Sequence, residues 1–352
     1  MVDRSHLAAF WHRHGLIRLV ARRAGAAIFQ CFGITLVAFT LSELVPADPV
    51  AANLGDRVLD SPSIVAAYKA QYGLDKPPPV RYVIYLSHLV HGDFGRSQVT
   101  TRPVATDLGQ FVPATLELAI LAMLIAAAIG VPLGVLAATR RASPVDEGLR
   151  VMSVSAISMP PFWVSLIALY VFSFLLRMAP SSGQLSPGLL PPPHVTGMYL
   201  IDSLLAGDLF TFGDATRHAI LPAVVLAVAL FGVLQRFTRA AVLEIIHNDY
   251  IIGARAKGLP GRVILLRYLL RAVLPSVVTV SGLLFASVAT GAVLVETVFA
   301  WPGVGYYGAS SALILDVNTI TGVSLFVATF YVATNFVVDV AHAAIDPRVT
   351  LS

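Results

Sequence analysis

The chain has 352 residues, 57% of them hydrophobic and only 12% charged, where soluble domains carry about 25% charge; half the usual charge cannot coat a soluble surface of this size. The single cysteine, Cys31, excludes an internal disulfide framework and a cysteine-based zinc site. A pI near 9.3 suggests nucleic acid, but the net charge is only +4, so the placement of the basic residues matters more than their number.

About 20 apolar residues span the hydrocarbon of a bilayer, and a charge buried there costs several kcal/mol, so uncharged runs mark the spans. In chain order these are residues 24–42, 118–139, 151–176, 218–235, 272–295 and 317–338. The first follows a basic stretch and lacks a small-residue cleavage site after it, so it reads as an anchor and not as a cleaved signal. Two further uncharged stretches, 178–201 and 297–315, are interrupted by proline and glycine, among them Pro191, Pro192 and Pro193 in the first and Pro302, Gly303 and Gly305 in the second. Unpaired backbone is not tolerated against lipid, so both read as loops or re-entrant pieces. The expected fold class is an all-α polytopic membrane protein with six transmembrane helices. Its organisation is a tail at 1–23, a first helix at 24–46 and an outer loop domain at 47–111. A five-helix core at 112–345 follows, containing an inner loop at 236–271, and then a tail at 346–352.

Lys and Arg set the orientation. With the N-terminus inside, 16 of the 24 lie in cytoplasmic segments, seven of them in the loop 236–271. Six of the other eight lie in the long loop 47–111 beside six acids, where the positive-inside rule weakens. Both termini are therefore expected in the cytoplasm, and the nucleic-acid reading is set aside.

Little in the sequence carries covalent chemistry. It contains no G-x-x-x-x-G-K-[ST] phosphate loop and no H-E-x-x-H zinc motif. Ser310 and Ser311 follow Gly308, but no His lies near them in sequence, and a nucleophile needs an activating base. Glu117, Glu296 and Asp339 lie at span ends; they serve either hydrogen bonding between helices, the favoured reading, or ion coupling. Gly130-Val-Pro132-Leu-Gly134 and Met159-Pro160-Pro161 suit either close packing or helices that tilt in a gating cycle.

The inner loop is the most informative stretch. A helical continuation over 237–247 leads to Asn248 and Asp249, which can end one helix and cap the next. Residues 250–257 then make about two turns, with Arg255 and Lys257 at the end where cations favour the dipole. Gly258 suits the C′ position and Pro260 prevents continuation. So short a helix is not stable alone in water, so it lies on the membrane surface or docks into another protein. Its face offers Tyr250, Ile251 and Ala254 to a groove, with Arg255 and Lys257 able to reach acids at the rim.

Residues 249–259, Asp-Tyr-Ile-Ile-Gly-Ala-Arg-Ala-Lys-Gly-Leu, resemble the cytoplasmic EAA loop of ABC importer permeases, in the version of the dipeptide/oligopeptide/nickel group. The resemblance runs along nearly the whole chain. It includes Leu44-Val-Pro-Ala-Asp48-Pro49, His91-Gly-Asp-Phe-Gly-Arg-Ser97, Val112-Pro-Ala-Thr-Leu-Glu117, Ile220-Leu-Pro222, Glu296-Thr-Val-Phe-Ala-Trp-Pro-Gly303 and Ile345-Asp346-Pro-Arg348. Where the general pattern has Glu-Ala-Ala, this chain has Ile252, Gly253 and Ala254. The resemblance implies the type I importer fold in a bacterial inner membrane. It implies a second homologous permease subunit, two ATPase subunits and an extracytoplasmic binding protein as partners. Tyr250, Ala254, Arg255, Ala256, Lys257 and Gly258 would be the coupling contacts. The chain itself would bind no cofactor, ATP and Mg being held by the ATPases, and it would not be an enzyme. The implied cargo is a di- or oligopeptide, with a nickel or other metal chelate or glutathione as alternatives on the same scaffold. An ion-coupled secondary transporter is the rival from another class.

Overall fold

A computed structural model describes the backbone of residues 4–44, 62–72 and 74–345, with most side chains from residue 21 onward. Helix α1 (Arg4–Leu44) is followed by the outer helices α2 (Pro62–Tyr72) and α3 (Pro78–Val90). Then come α4 (Val104–Thr139), α5 (Pro144–Ser158) and α6 (Pro161–Ala168), which runs on into a wider π-helical stretch, Leu169–Leu175. A short α7 (Tyr199–Leu205) precedes the long α8 (Leu209–Ile245) and the short α9 (Asp249–Ala256). A π-helical stretch, Ile264–Leu269, leads into α10 (Leu270–Gly291), α11 (Val293–Val298), α12 (Val304–Leu313) and α13 (Val317–Ile345). Among the described residues the only β pairing is an isolated bridge between Arg96 and Pro103.

Five stretches are long and apolar enough to cross a membrane: Ala21–Thr40, Val104–Thr139, Leu209–Ile245, Gly261–Ala289 and Val317–Val338. The segments Pro144–Ser158 and Pro161–Leu175 pass the same test only as a pair, which meets at a 99° bend; counted as one broken span, it brings the number to six. Pro160 and Pro161 supply no backbone N–H there, so the helical ladder cannot continue through them. The prolines thus act where they occur in tandem. Pro132 stays inside an unbroken α4.

Helix ends differ from the uncharged runs. The second span starts at Val104, inside the stretch assigned to the outer loop domain, and the fourth starts at Leu209 and not near 218. An uncharged run measures the hydrocarbon, whereas a helix continues as long as its backbone bonds are satisfied. The 36 residues of α4 extend about 54 Å against roughly 30 Å of hydrocarbon.

Helix α8 is the axis of the molecule: 72% of its apolar window is buried, against 39% for α4 and 6% for α1. Small residues let α4 and α5 press onto it. A Cβ at Gly134 would stand 2.7 Å from both the Gln235 carbonyl oxygen and the Thr238 Cβ, and one at Gly232 would stand 2.6 Å from the Ser153 carbonyl oxygen. Ala122 and Ala126 of α4 meet Ala223, Leu226 and Leu230 of α8 in the same core.

The end of the bundle formed by the start of α4 and by α11 and α12 is tied by buried polar groups. Thr115 donates to Glu296 at 2.7 Å and accepts from the Val304 N–H at 2.8 Å. The Tyr306 N–H also donates to Glu296, at 3.0 Å, and the Trp301 indole donates to the Ala114 carbonyl at 3.0 Å. Glu117 accepts from the Leu200 N–H at 2.6 Å, tying the outer segment before α8 to α4. Glu117 and Glu296 are therefore engaged in hydrogen bonds between elements, while the Asp339 side chain lies outside the described residues. A second network holds the turn at 97–100. Asp316 accepts from Ser97 Oγ at 2.9 Å and Thr319 Oγ1 at 2.7 Å, and Asp107 accepts from Thr100 and, at 2.7 Å, from the Tyr307 hydroxyl.

Thr115→Val deletes one hydroxyl but leaves both of its buried partners. It is expected to cost about 1–3 kcal/mol, read as a lower unfolding midpoint in detergent, whereas Thr115→Ser restores most of it. Gly134→Val must separate α4 from α8 and costs about 1–3 kcal/mol by overpacking in the same assay.

Candidate coupling site

The stem of α8 ends at Ile245, and Asn248 caps α9 with extended backbone, φ −68° and ψ 146°. Its side chain makes no capping bond; instead its carbonyl accepts from the N–H groups of Ile251 at 2.9 Å and Ile252 at 3.1 Å. The helix thus begins at Asp249, one residue earlier than expected. That carboxylate stands at the positive end of the helix dipole.

The C-terminus closes in a Schellman motif. The Gly258 N–H reaches the Arg255 carbonyl at 2.9 Å and the Leu259 N–H reaches the Ala254 carbonyl at 3.3 Å. Gly258 has φ +71°, a geometry that glycine adopts without steric cost. Leu259 packs on the core behind the helix, which supplies the apolar contact that accompanies such a cap.

The faces of α9 differ from the expectation. Ile251 and Ala254 are 0% and 4% exposed and pack against Val135, Val242 and Ile264 of the same chain. They form the only apolar stripe two turns can offer, and the stripe fixes the helix to its own stem. Ala254, expected as a coupling contact, thus packs against its own chain, as does Ile251. Tyr250 and Ile252 are half exposed, at 46% and 52%, and Arg255, Ala256, Lys257 and Gly258 are exposed. Ile252 escaped the sequence reading, although it lies four residues before Ala256 and so on the same helix face.

The stem is also tied to α5. Arg239 donates through Nε to Asp146 Oδ1 at 2.6 Å and through Nη2 to Oδ2 at 2.8 Å, and Asp146 Oδ2 accepts from the Ala142 N–H at 3.0 Å. Sequence reasoning missed this pair. A local signal for half of it existed: Ser143-Pro-Val-Asp146 has the spacing of a capping box, and Ser143 Oγ accepts from the Asp146 N–H at 3.3 Å.

These features match known proteins over almost the entire length. The model of the family described as "Binding-protein-dependent transport system inner membrane component" matches residues 130–351. The model of the N-terminal part of such membrane components matches residues 16–119. The "Probable D,D-dipeptide transport system permease protein DdpB" of Escherichia coli K12 is 43% identical over 332 residues, spanning 94% of this chain and 97% of its own. The "Di/tripeptide transport system permease protein DppB" of Pseudomonas aeruginosa UCBPP-PA14 is 41% identical over 335 residues, 95% and 99% of the two chains. The "Dipeptide transport system permease protein DppB" of Escherichia coli K12 is 38% identical over 337 residues, again 95% and 99%. The chain belongs to the family of inner-membrane components of binding-protein-dependent transport systems, permeases with the type I ABC importer fold.

Proposed function

We propose that this chain is one of two homologous permease subunits in an ATP-driven importer of di- or oligopeptides. The observation that carries this reading is the inner helix α9, capped at both ends and clamped by Ile251 and Ala254. It presents Tyr250, Ile252, Arg255, Ala256 and Lys257 away from the chain that holds it. The peptide cargo is supported by the relatives named for dipeptide, D,D-dipeptide and di/tripeptide transport. Two ATPase subunits dock on such helices, one on each permease, and hold the ATP and Mg for which this sequence has no phosphate loop. A binding protein delivers the peptide from outside, and both termini lie in the cytoplasm, in keeping with the seven Lys and Arg of the loop 236–271. Helix α1, almost unburied by its own chain, leaves a long apolar surface for lipid and for the second permease.

ATP binding closes the ATPases and moves α9. Differential contact of ATP and of loaded binding protein with the inward-open and outward-open arrangements then selects between them. Arg255 and Lys257 meet acids on the ATPase, and Gly258 sets the angle at which the chain leaves the helix.

In proteoliposomes holding the full complex, loaded binding protein is expected to stimulate ATP hydrolysis and drive peptide uptake. The Arg255→Glu/Lys257→Glu pair, or Gly258→Pro, which removes the N–H donated to Arg255 and cannot adopt positive φ, abolishes uptake while membrane insertion persists. Normal stimulated hydrolysis and uptake in those variants would sink the assignment. Orientation is tested separately in a Cys31→Ser background. Lys257→Cys is expected to react with a membrane-impermeant maleimide only in inverted vesicles and Lys76→Cys only in right-side-out ones; the opposite pattern reverses the topology.

A further inference from the structure

We infer that Asp146 and Arg239 are positioning residues for transport, a strut that carries movement of the coupling helix from the stem of α8 into α5 and on to its bend with α6. This inference rests on the function proposed above.

The geometry favours a strut over simple stabilisation. A buried ion pair contributes little net stability compared with apolar packing of similar volume. A bidentate guanidinium and carboxylate instead fix distance and angle together. Here both nitrogens of the fork are used, at 2.6 and 2.8 Å, and the Asp146 side chain is only 3% exposed. Its neighbour Glu147 is engaged elsewhere, with Arg150 at 2.9 Å. The same Asp146 carboxylate holds the N–H of Ala142, a non-glycine residue at φ +62°. That conformation persists only where the surroundings enforce it, so the turn from α4 into α5 is fixed by the group that grips the stem.

The strut also stands between a part that is pushed and a part that can yield. Arg239 precedes the start of α9 by ten residues, the first six of them, about 9 Å, on a stem helix that is continuous to Ile245. Along the same two helices, Gly232 lies directly against the Ser153 carbonyl, so α5 and the stem touch at two levels and move as one body. At the far end of α5 the ladder stops. Pro160 is extended, with φ −61° and ψ 130°, and the 99° bend encloses an open groove of about 510 Å³ lined by Ser155, Ser158, Phe162 and Trp163. A rigid α5 turned by the stem therefore changes the bend, which has room to open or close.

The test measures peptide imported per ATP hydrolysed, together with the unfolding midpoint of the assembled complex. Asp146→Asn or Arg239→Met alone leaves one buried charge unpaired, and is expected to lower both the midpoint and the transport ratio severalfold. Asp146→Asn/Arg239→Met in the same chain removes both charges while Asn keeps an acceptor for Ala142. The midpoint is expected to recover and the transport ratio to stay low. Recovery of the ratio together with the midpoint, or a normal ratio in the single variants, overturns the inference and leaves the pair a matter of stability. If the double variant fails to assemble, Arg239→Lys decides: it keeps the charge without the fork, so a reduced ratio supports the strut and a wild-type ratio refutes it. Wild-type complex that imports no peptide under ATP refutes the underlying function, a result distinct from all of these.

Discussion

The architecture depends on how closely α4 approaches α8. No Cβ fits at Gly134 against the Gln235 carbonyl, and one at Gly130 would stand only 3.3 Å from that of Phe231. In a membrane the hydrophobic effect does not drive helices together, so close van der Waals contact between small residues has to. That contact gives α8 its central place, and every other functional feature is referred to it. The outer hydrogen-bonded motifs hang from the far end of α4, and the coupling helix hangs from the near end of α8.

The two ends of this pair are organised by different physics. At the end formed by the start of α4, Glu296, Thr115, Asp107 and Asp316 are buried and held by hydroxyls, backbone N–H groups and, at Asp107, the Arg102 guanidinium. An unsatisfied polar group there costs the full desolvation penalty, so α11, α12 and the start of α13 are held in one arrangement relative to α4. At the other end the fixed points are more strongly directional: one forked ion pair, the glycine contacts at Gly134 and Gly232 and one two-residue apolar stripe. One end of the bundle is thus braced by many short polar contacts and the other by a few directional ones.

Much of this was legible in the sequence, and the limits follow from what each signal measures. Uncharged runs located the apolar stretches, but the helices that contain them begin earlier, α4 at Val104 and α8 at Leu209. The tandem at Pro160 and Pro161 announced a break without its angle, since two missing donors say nothing about the direction in which a chain leaves. Asn248, Gly258 and Pro260 bounded α9 to within one residue. Eight residues, however, carry too little periodicity to tell which face is inward, and so Ile251 and Ala254 were assigned to the wrong side. Two stretches singled out for family resemblance, 112–117 and 296–303, turned out to touch through Thr115 and Glu296 and through Trp301 and Ala114. The Asp146/Arg239 pair joins residues far apart in sequence, and no local pattern could have joined them.

The Schellman closure at Gly258 has an evolutionary consequence. With both ends of α9 pinned, one by the Asn248 carbonyl and the other by the left-handed glycine, the helix has a fixed length. A single inserted residue would rotate everything after it by about 100°. That would swing Ala254 out of its pocket and turn Gly253 into its place. The exposed positions Tyr250, Ile252 and Ala256 are therefore open to point substitution, whereas the helix is closed to insertions and deletions.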